Sequence, residues 1–267
     1  MSLAAMWAAL GEDDADLDGV RQRGPEVPLN AVLPVGQFVH DAIAAASLSA
    51  GLLAANGSGG GVPTVDLDPI RIATAVTSER HFRLHGKPMD AWAELSGFWP
   101  AADGWVRTHA NYPHHRKRLL GALGLPESTG ATELRAVLAT RPCEEIELVV
   151  CGAGGIATAV RSEEQWRMHP HAGAVAALPL IGIEGVGDGP ASSWLPGGSA
   201  APASGVRVLD LTRVIAGPVA GRTLAFWGAD VLRVDPPGLP EIAWQHLDTG
   251  AGKRSTVLAA DAAQFGE

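Results

Sequence analysis

The stretch 205–235 leaves this chain the least freedom. Val206-Arg-Val-Leu-Asp-Leu211 is a short run of β-branched and leucine residues, Gly217-Pro218 restarts the chain, and residues 219–227 have room for about two and a half helical turns before Gly228. Residues 229–234 then read as a second strand. Connections this short force a right-handed βαβ unit on a parallel sheet. Ligands of such sheets bind beyond the carboxyl ends of the strands, here the 210–216 loop and the 235–238 turn. With residues 255–259 as a further strand, the expected class is α/β: a mainly helical first part followed by the start of a Rossmann-like parallel sheet.

Upstream the signals are helical. Asp68 before Pro69 is a helix start, and a helix is expected over 69–83; residues 64–68 read either as a short strand or as that helix's cap. Residues 105–109 alternate as a strand. Residues 113–123 gather Leu119, Leu120 and Leu123 on one side with His115, Arg116 and Lys117 largely opposite, as in a surface helix with a basic outer face. Further short helices are expected over 131–140 and 142–150, and one begins at Ser162 with an acidic first turn. Flexible passages at 57–61 and 185–204 mark boundaries. They divide the chain into an acidic irregular N-terminus (1–29), a helix-rich part (30–184), a linker (185–204) and a sheet-forming part (205–267).

Composition limits the roles open to such a chain. Of 267 residues, 46% are hydrophobic and 18% charged, enough apolar material for a packed core. The formal net charge of −9 has the wrong sign for a protein whose task is to neutralise nucleic-acid phosphates or anionic lipid. The apolar run 42–55, interrupted by Ser47 and Ser49, falls short of the roughly 18–20 residues a membrane span needs and is read as a buried helix. No secretory signal is visible, and Cys143 and Cys151 are expected to be reduced, mostly buried thiols of a cytoplasmic protein. No nucleic-acid or membrane partner is expected.

Three ordered blocks, Gly205-Val-Arg-Val-Leu-Asp-Leu-Thr-Arg-Val-Ile-Ala-Gly-Pro218, Gly228-Ala-Asp-Val-Leu-Arg-Val-Asp-Pro-Pro-Gly238 and Gly252-Lys-Arg-Ser255, resemble the amino-terminal signature of the family III CoA-transferases. This family includes formyl-CoA transferase, carnitine CoA-transferase and α-methylacyl-CoA racemase. Residues 61–68, 103–106, 154–161 and 166–170 more weakly resemble its middle and later parts, so the sequence looks like the rear of one such unit joined to the front of another. The resemblance implies transfer of CoA from an acyl-CoA thioester to a carboxylate acceptor, through acyl transfer to an aspartate, attack by CoA thiolate and return of the thiol to a new acyl group. CoA or acyl-CoA is then a substrate rather than a permanently bound cofactor. The family aspartate lies downstream of the Lys253-Arg254 block, and nothing in 256–267 matches it. The chain is therefore expected not to transfer CoA by itself and is assigned no catalytic residue. The alternative is a non-catalytic CoA-binding or auxiliary subunit. Because family members are interlocked dimers, a homodimer or a partner subunit is expected.

The resemblance places Val214, Ile215, Ala216 and Leu258 at the CoA site, while Lys253 and Arg254 can supply charge for its phosphates and the 213–218 loop can supply amides at a helix N-terminus. Pro236 stands where some members have a phosphate-contacting arginine. Asp210 and Asp235, each at a strand end, are read as holding loop amides rather than as an acid/base pair. The His114, His115, His169 and His171 pairs lack ligand spacing, and no metal site is expected. An NAD-dependent oxidoreductase is disfavoured because the first turn lacks G-x-G-x-x-G.

Overall fold

The computed structural model describes residues 2–56, 61–185, 187–189 and 201–259. Most of the 57–61 passage, and residues 186 and 190–200 of the expected linker, lie outside the described residues. The chain divides into two compact units, Met1–Met89 with Pro179–Glu267, and Asp90–Leu178.

In the first unit, a helix at Leu3–Ala9 sets the fully buried Trp7 against Ala45 and Leu48 of the long helix Val35–Asn56. That helix starts seven residues before the apolar run suggested. Its buried Asp41 accepts a hydrogen bond from Gln37 Nε2 (2.7 Å) and pairs with His40 Nδ1 (2.9 Å), so two polar neighbours on the same helix accommodate the buried carboxylate. Extended in this way, Val35–Ala55 is long and apolar enough, by length and composition, to cross a membrane; the 42–55 run alone was not. The helix links two short parallel strands, Val20–Gln22 and Val65–Leu67.

Both readings of residues 64–68 hold, because the Val65–Leu67 strand leads into Asp68, whose carboxylate accepts from the amides of Ile70 and Arg71. The single helix expected over 69–83 is two, Pro69–Val76 and Ser78–His81. Thr77 leaves helical geometry at φ −111°, ψ 35°, and its hydroxyl turns back to the Ala73 carbonyl at 2.8 Å. The Thr77 amide still donates to the same carbonyl at 3.1 Å, so the hydroxyl adds to the last helical bond before the break.

In the second unit, Gly97–Pro100, Trp105–Thr108 and Ala157–Ala159 form an antiparallel sheet. Helices Pro113–Leu123, Ala131–Leu138 and Cys143–Gly152 stand where their patterns put them. Val106, Leu119, Leu134, Leu138, Ile146 and Val150 are buried together in one core. Asp103 Oδ1 accepts from the Cys143 amide (2.8 Å) at the start of the third helix. Burial, with the Asp103 carboxylate beside it, pushes the Cys143 thiol up to about 11, whereas Cys151 is exposed. Two cations of the basic face at 115–118 are fasteners: Arg116 donates to the Glu127 and Thr129 carbonyls, and Arg118 to the Gly154 carbonyl.

The parallel sheet belongs to the first unit. Its order is Arg207–Asp210, Asp230–Asp235, Arg254–Val257, joined through helices Ala216–Phe226 and Ala243–Gly250. The second helix escaped the sequence reading, and the first begins three residues earlier than expected, taking Gly217 and Pro218 into its opening turn. Gly228, at φ +96°, ends it in the left-handed conformation. A Cβ there would also meet Ala201 at 2.7 Å. Residues 201–204 are packed rather than loose: Ala203 is buried against Ala229 and Val231, and its amide donates to the Trp227 carbonyl at 2.8 Å. Strand alternation points Val208, Asp210, Val231, Arg233 and Asp235 toward the helices. Leu209 and its register partner Leu232 point the other way, and Leu209 is 56% exposed.

Candidate functional site

The loop from Leu211 to Ile215 leaves the carboxyl end of the first strand and enters the crossover helix at Ala216. It is anchored first through Asp210. This buried carboxylate accepts from the Thr212 amide (3.0 Å), the Thr212 hydroxyl and Lys253 Nζ (2.7 Å). Lys253 is itself buried and donates also to the Pro218 carbonyl at 2.8 Å. One ion pair thus ties the third strand, the first strand end and the first turn of the helix. Gly221 makes room for it, since a Cβ there would lie 2.7 Å from Asp210 Oδ2 and 3.0 Å from Lys253 Nζ.

Burial pushes the Asp210 carboxyl up, but the hydrogen bonds from Lys253 and Thr212 outweigh it and hold the group below the usual carboxylate range. A depressed carboxylate contributes stability that is present above its unfolded pKa, about 3.9, and is lost as pH falls through the folded value. The gap in unfolding free energy between the native chain and Asp210→Asn should accordingly be wide at pH 7 and narrow as pH drops below about 4. An equal gap at pH 7 and pH 3, by urea unfolding, would contradict this.

The second anchor holds Val214. Its φ is +70°, a left-handed conformation that costs a β-branched residue on the order of 1–2 kcal/mol. The Val214 amide donates to Glu241 Oε2 (2.9 Å) and its carbonyl accepts from Gln245 Nε2. Glu241 is fixed in turn: its Oε1 accepts from the Ile242 amide at 3.0 Å, and Arg233 Nη2 lies 3.5 Å from its Oε2. Arg233 is 1% exposed, forks onto both Asp235 oxygens at 2.9 Å, and reaches Thr249 Oγ1 at 3.3 Å. His246 Nδ1 stands 3.6 Å from Asp235. Asp210 and Asp235 therefore act as anchors for loops and cations.

Of the residues singled out from the sequence, Val214 and Ile215 lie on the loop and Ala216 opens the helix after it, all three with exposed side chains. Leu258 follows the third strand at the same carboxyl end of the sheet, its amide donating to the Asp235 carbonyl (3.1 Å). Lys253 and Arg254 are parted. Neighbours on a strand face opposite sides, so Lys253 turns inward to Asp210 while Arg254 turns outward and binds Asp230 at 2.7 and 2.8 Å. The Arg254–Asp230 pair sits at the amino end of the sheet, away from the loop. Sequence reading missed Arg233, Glu241 and Gln245 as holders of the loop. The signal available for Arg233 was its place in step with Val231 on the inward side of the strand. Among the described residues, no cluster of three His, Cys, Asp or Glu could hold a metal ion.

The family model described as CoA-transferase family III matches residues 203–259, the segment that carries this loop and all three strands. An acetyl-coenzyme A transferase, nodX, of Hypoxylon pulicicidum is 39% identical over 77 residues, covering 27% of this chain and 13% of that protein. An acyl-CoA transferase of Gibberella moniliformis is 30% identical over 185 residues, 66% of this chain and 29% of that protein. A crystal structure of Rv3272 from Mycobacterium tuberculosis aligns with a TM-score of 0.43 and 18% identity, over 55% of this chain and 47% of that one. The chain spans less than a third of the length of these two curated relatives. It is through residues 203–259 that this chain is similar to CoA-transferase family III.

Proposed function

We propose that the chain receives CoA thioesters at the 211–217 loop and takes part in moving CoA between an acyl-CoA and a carboxylate acceptor. The observation that carries this reading is the coincidence of the family match with a loop held at the carboxyl ends of a parallel sheet. The amides of Ala216 and Gly217 in the first turn of the Ala216–Phe226 helix have no intrahelical acceptor, and the helix dipole favours an anion such as a CoA phosphate beside them. Val214 (43% exposed) and Ile215 (58%) offer apolar contact for the pantetheine arm.

A second reading, CoA binding without chemistry by this chain alone, is favoured by the state of its carboxylates. All five in residues 203–259 are committed to ion pairs: Asp210 with Lys253, Asp230 with Arg254, Asp235 and Glu241 with Arg233, and Asp248 with Arg222. A nucleophilic carboxylate is thus sought outside this segment. We also read the chain as part of an assembly, a homodimer or a pair with another subunit. The exposed Leu209 side of a sheet type that is ordinarily covered on both faces supports this.

Calorimetric titration of the full chain with CoA and acetyl-CoA tests the first reading. Ala216→Trp, at an exposed position, should weaken binding at least about tenfold with an unchanged circular dichroism spectrum. Absence of binding by the unmutated chain, or unchanged affinity in the folded variant, would sink it. Turnover of labelled acyl-CoA with a panel of carboxylates would decide against the second.

A further inference from the structure

We propose that Glu241 and Gln245 are positioning residues for the CoA-receiving loop, acting through the backbone of Val214. The inference deepens the reading above and rests on it. Among the described residues, His85 and Val214 are the non-glycine positions with positive φ. His85 sits with Gly86 between the paired strands Arg83–Leu84 and Lys87–Pro88, where a tight hairpin turn demands that conformation. Val214 has no such turn to justify it. Valine is also among the residues that tolerate the left-handed region least.

What holds Val214 there comes from far along the chain. Its amide and its carbonyl are each bound by a side chain, from Glu241 and Gln245, 27 and 31 residues later. Neither clamp can swing freely: the Glu241 carboxylate and Gln245 are both buried, and Arg233 braces Glu241 from the strand beneath. Released from the clamp, valine returns to negative φ, and the direction in which Ile215 and the first helical amides leave the loop changes with it. The side chains that clamp are turned to the backbone of the loop, and the surface offered to ligand is that of Val214, Ile215 and Ala216. A residue built to hold a strained backbone open for ligand is worth its strain only if the shape matters for binding.

The experiment is a double-mutant cycle read by calorimetric CoA affinity on the full chain. Gln245→Met, which keeps the volume and removes the donor, should weaken CoA binding about tenfold, equivalent to about 1.4 kcal/mol. In the Val214→Gly background the same change should cost less than about twofold, because glycine adopts positive φ without a clamp. Equal losses in the two backgrounds would show a role other than holding φ and overturn the proposal, as would full affinity in Gln245→Met alone. If Gln245→Met does not fold by circular dichroism, Glu241→Met, which removes the acceptor of the Val214 amide, supplies the cycle in the same two backgrounds, with the same outcomes. Failure of the unmutated chain to bind CoA is a separate result, which overturns the reading of the loop itself and this proposal with it.

Discussion

Replacing Arg233 by methionine is expected to cost about 3–5 kcal/mol of unfolding free energy, a large share of the 5–15 kcal/mol that holds a typical domain together. The guanidinium is 1% exposed and is paired with two carboxylates, Asp235 and Glu241, whose side chains are 9% and 2% exposed. Methionine fills much of the volume but leaves both negative charges in a region with little water. Urea unfolding followed by tryptophan fluorescence has a reporter in Trp244, buried in the helix packed beside this network. The triple variant Arg233→Met, Asp235→Asn, Glu241→Gln should recover much of the loss, because what destabilises is the uncompensated charge rather than the missing contact. A loss under about 1 kcal/mol in the single variant would mean that water reaches the carboxylates.

Gly221→Ala should reverse the usual sign of such a change. Alanine in a helix interior is ordinarily better than glycine by about 0.5–1 kcal/mol, and that gain is expected for Gly121→Ala, where a Cβ would meet nothing within 4 Å. At Gly221 the new methyl would sit 2.7 Å from Asp210 Oδ2. Asp210 has nowhere to retreat, since it is held by Thr212 on one side and by Lys253 on the other, and Lys253 is held by the Pro218 carbonyl. A loss of about 1–3 kcal/mol is expected by thermal or urea unfolding, with displacement of the Thr212 turn. A gain at both glycines would show that the ion pair moves aside at no cost.

The elements set by local chemistry could be read without a structure. Asp68 before Pro69 marks a helix start on its own, as does Ser162 with Gln165 three residues later, and the leucines of 113–123 declare their face by spacing. The break at Thr77 was less visible, because it rests on the dihedral angles of one residue and no glycine or proline marks it. At the candidate site the loop could be found but not its supports. Lys253 and Arg254 read as one patch of charge when counted along the chain, and as two unrelated ion pairs once the strand sends them to opposite faces. Arg233 reads as a surface charge in a β-rich run. Its burial depends on Asp235, Glu241 and Thr249 arriving around it, and the last two are brought by a turn and a helix whose positions no local pattern states. The left-handed Val214 is a tertiary outcome of the same kind.

The one-sided placement of the crossover helices also governs how the chain behaves as a sample. Leu209 and Leu211, each 56% exposed, lie on and just beyond the edge strand Arg207–Asp210, whose outer side has no further strand among the described residues. An oily strip next to open backbone donors and acceptors is the surface on which polypeptides adhere during concentration and storage. Shelf life at high concentration is then limited by this strip rather than by the melting of the core. Charged substitutions at Leu209 or Leu211 are the modest changes that lengthen it without touching Asp210, Lys253 or the Val214 clamp.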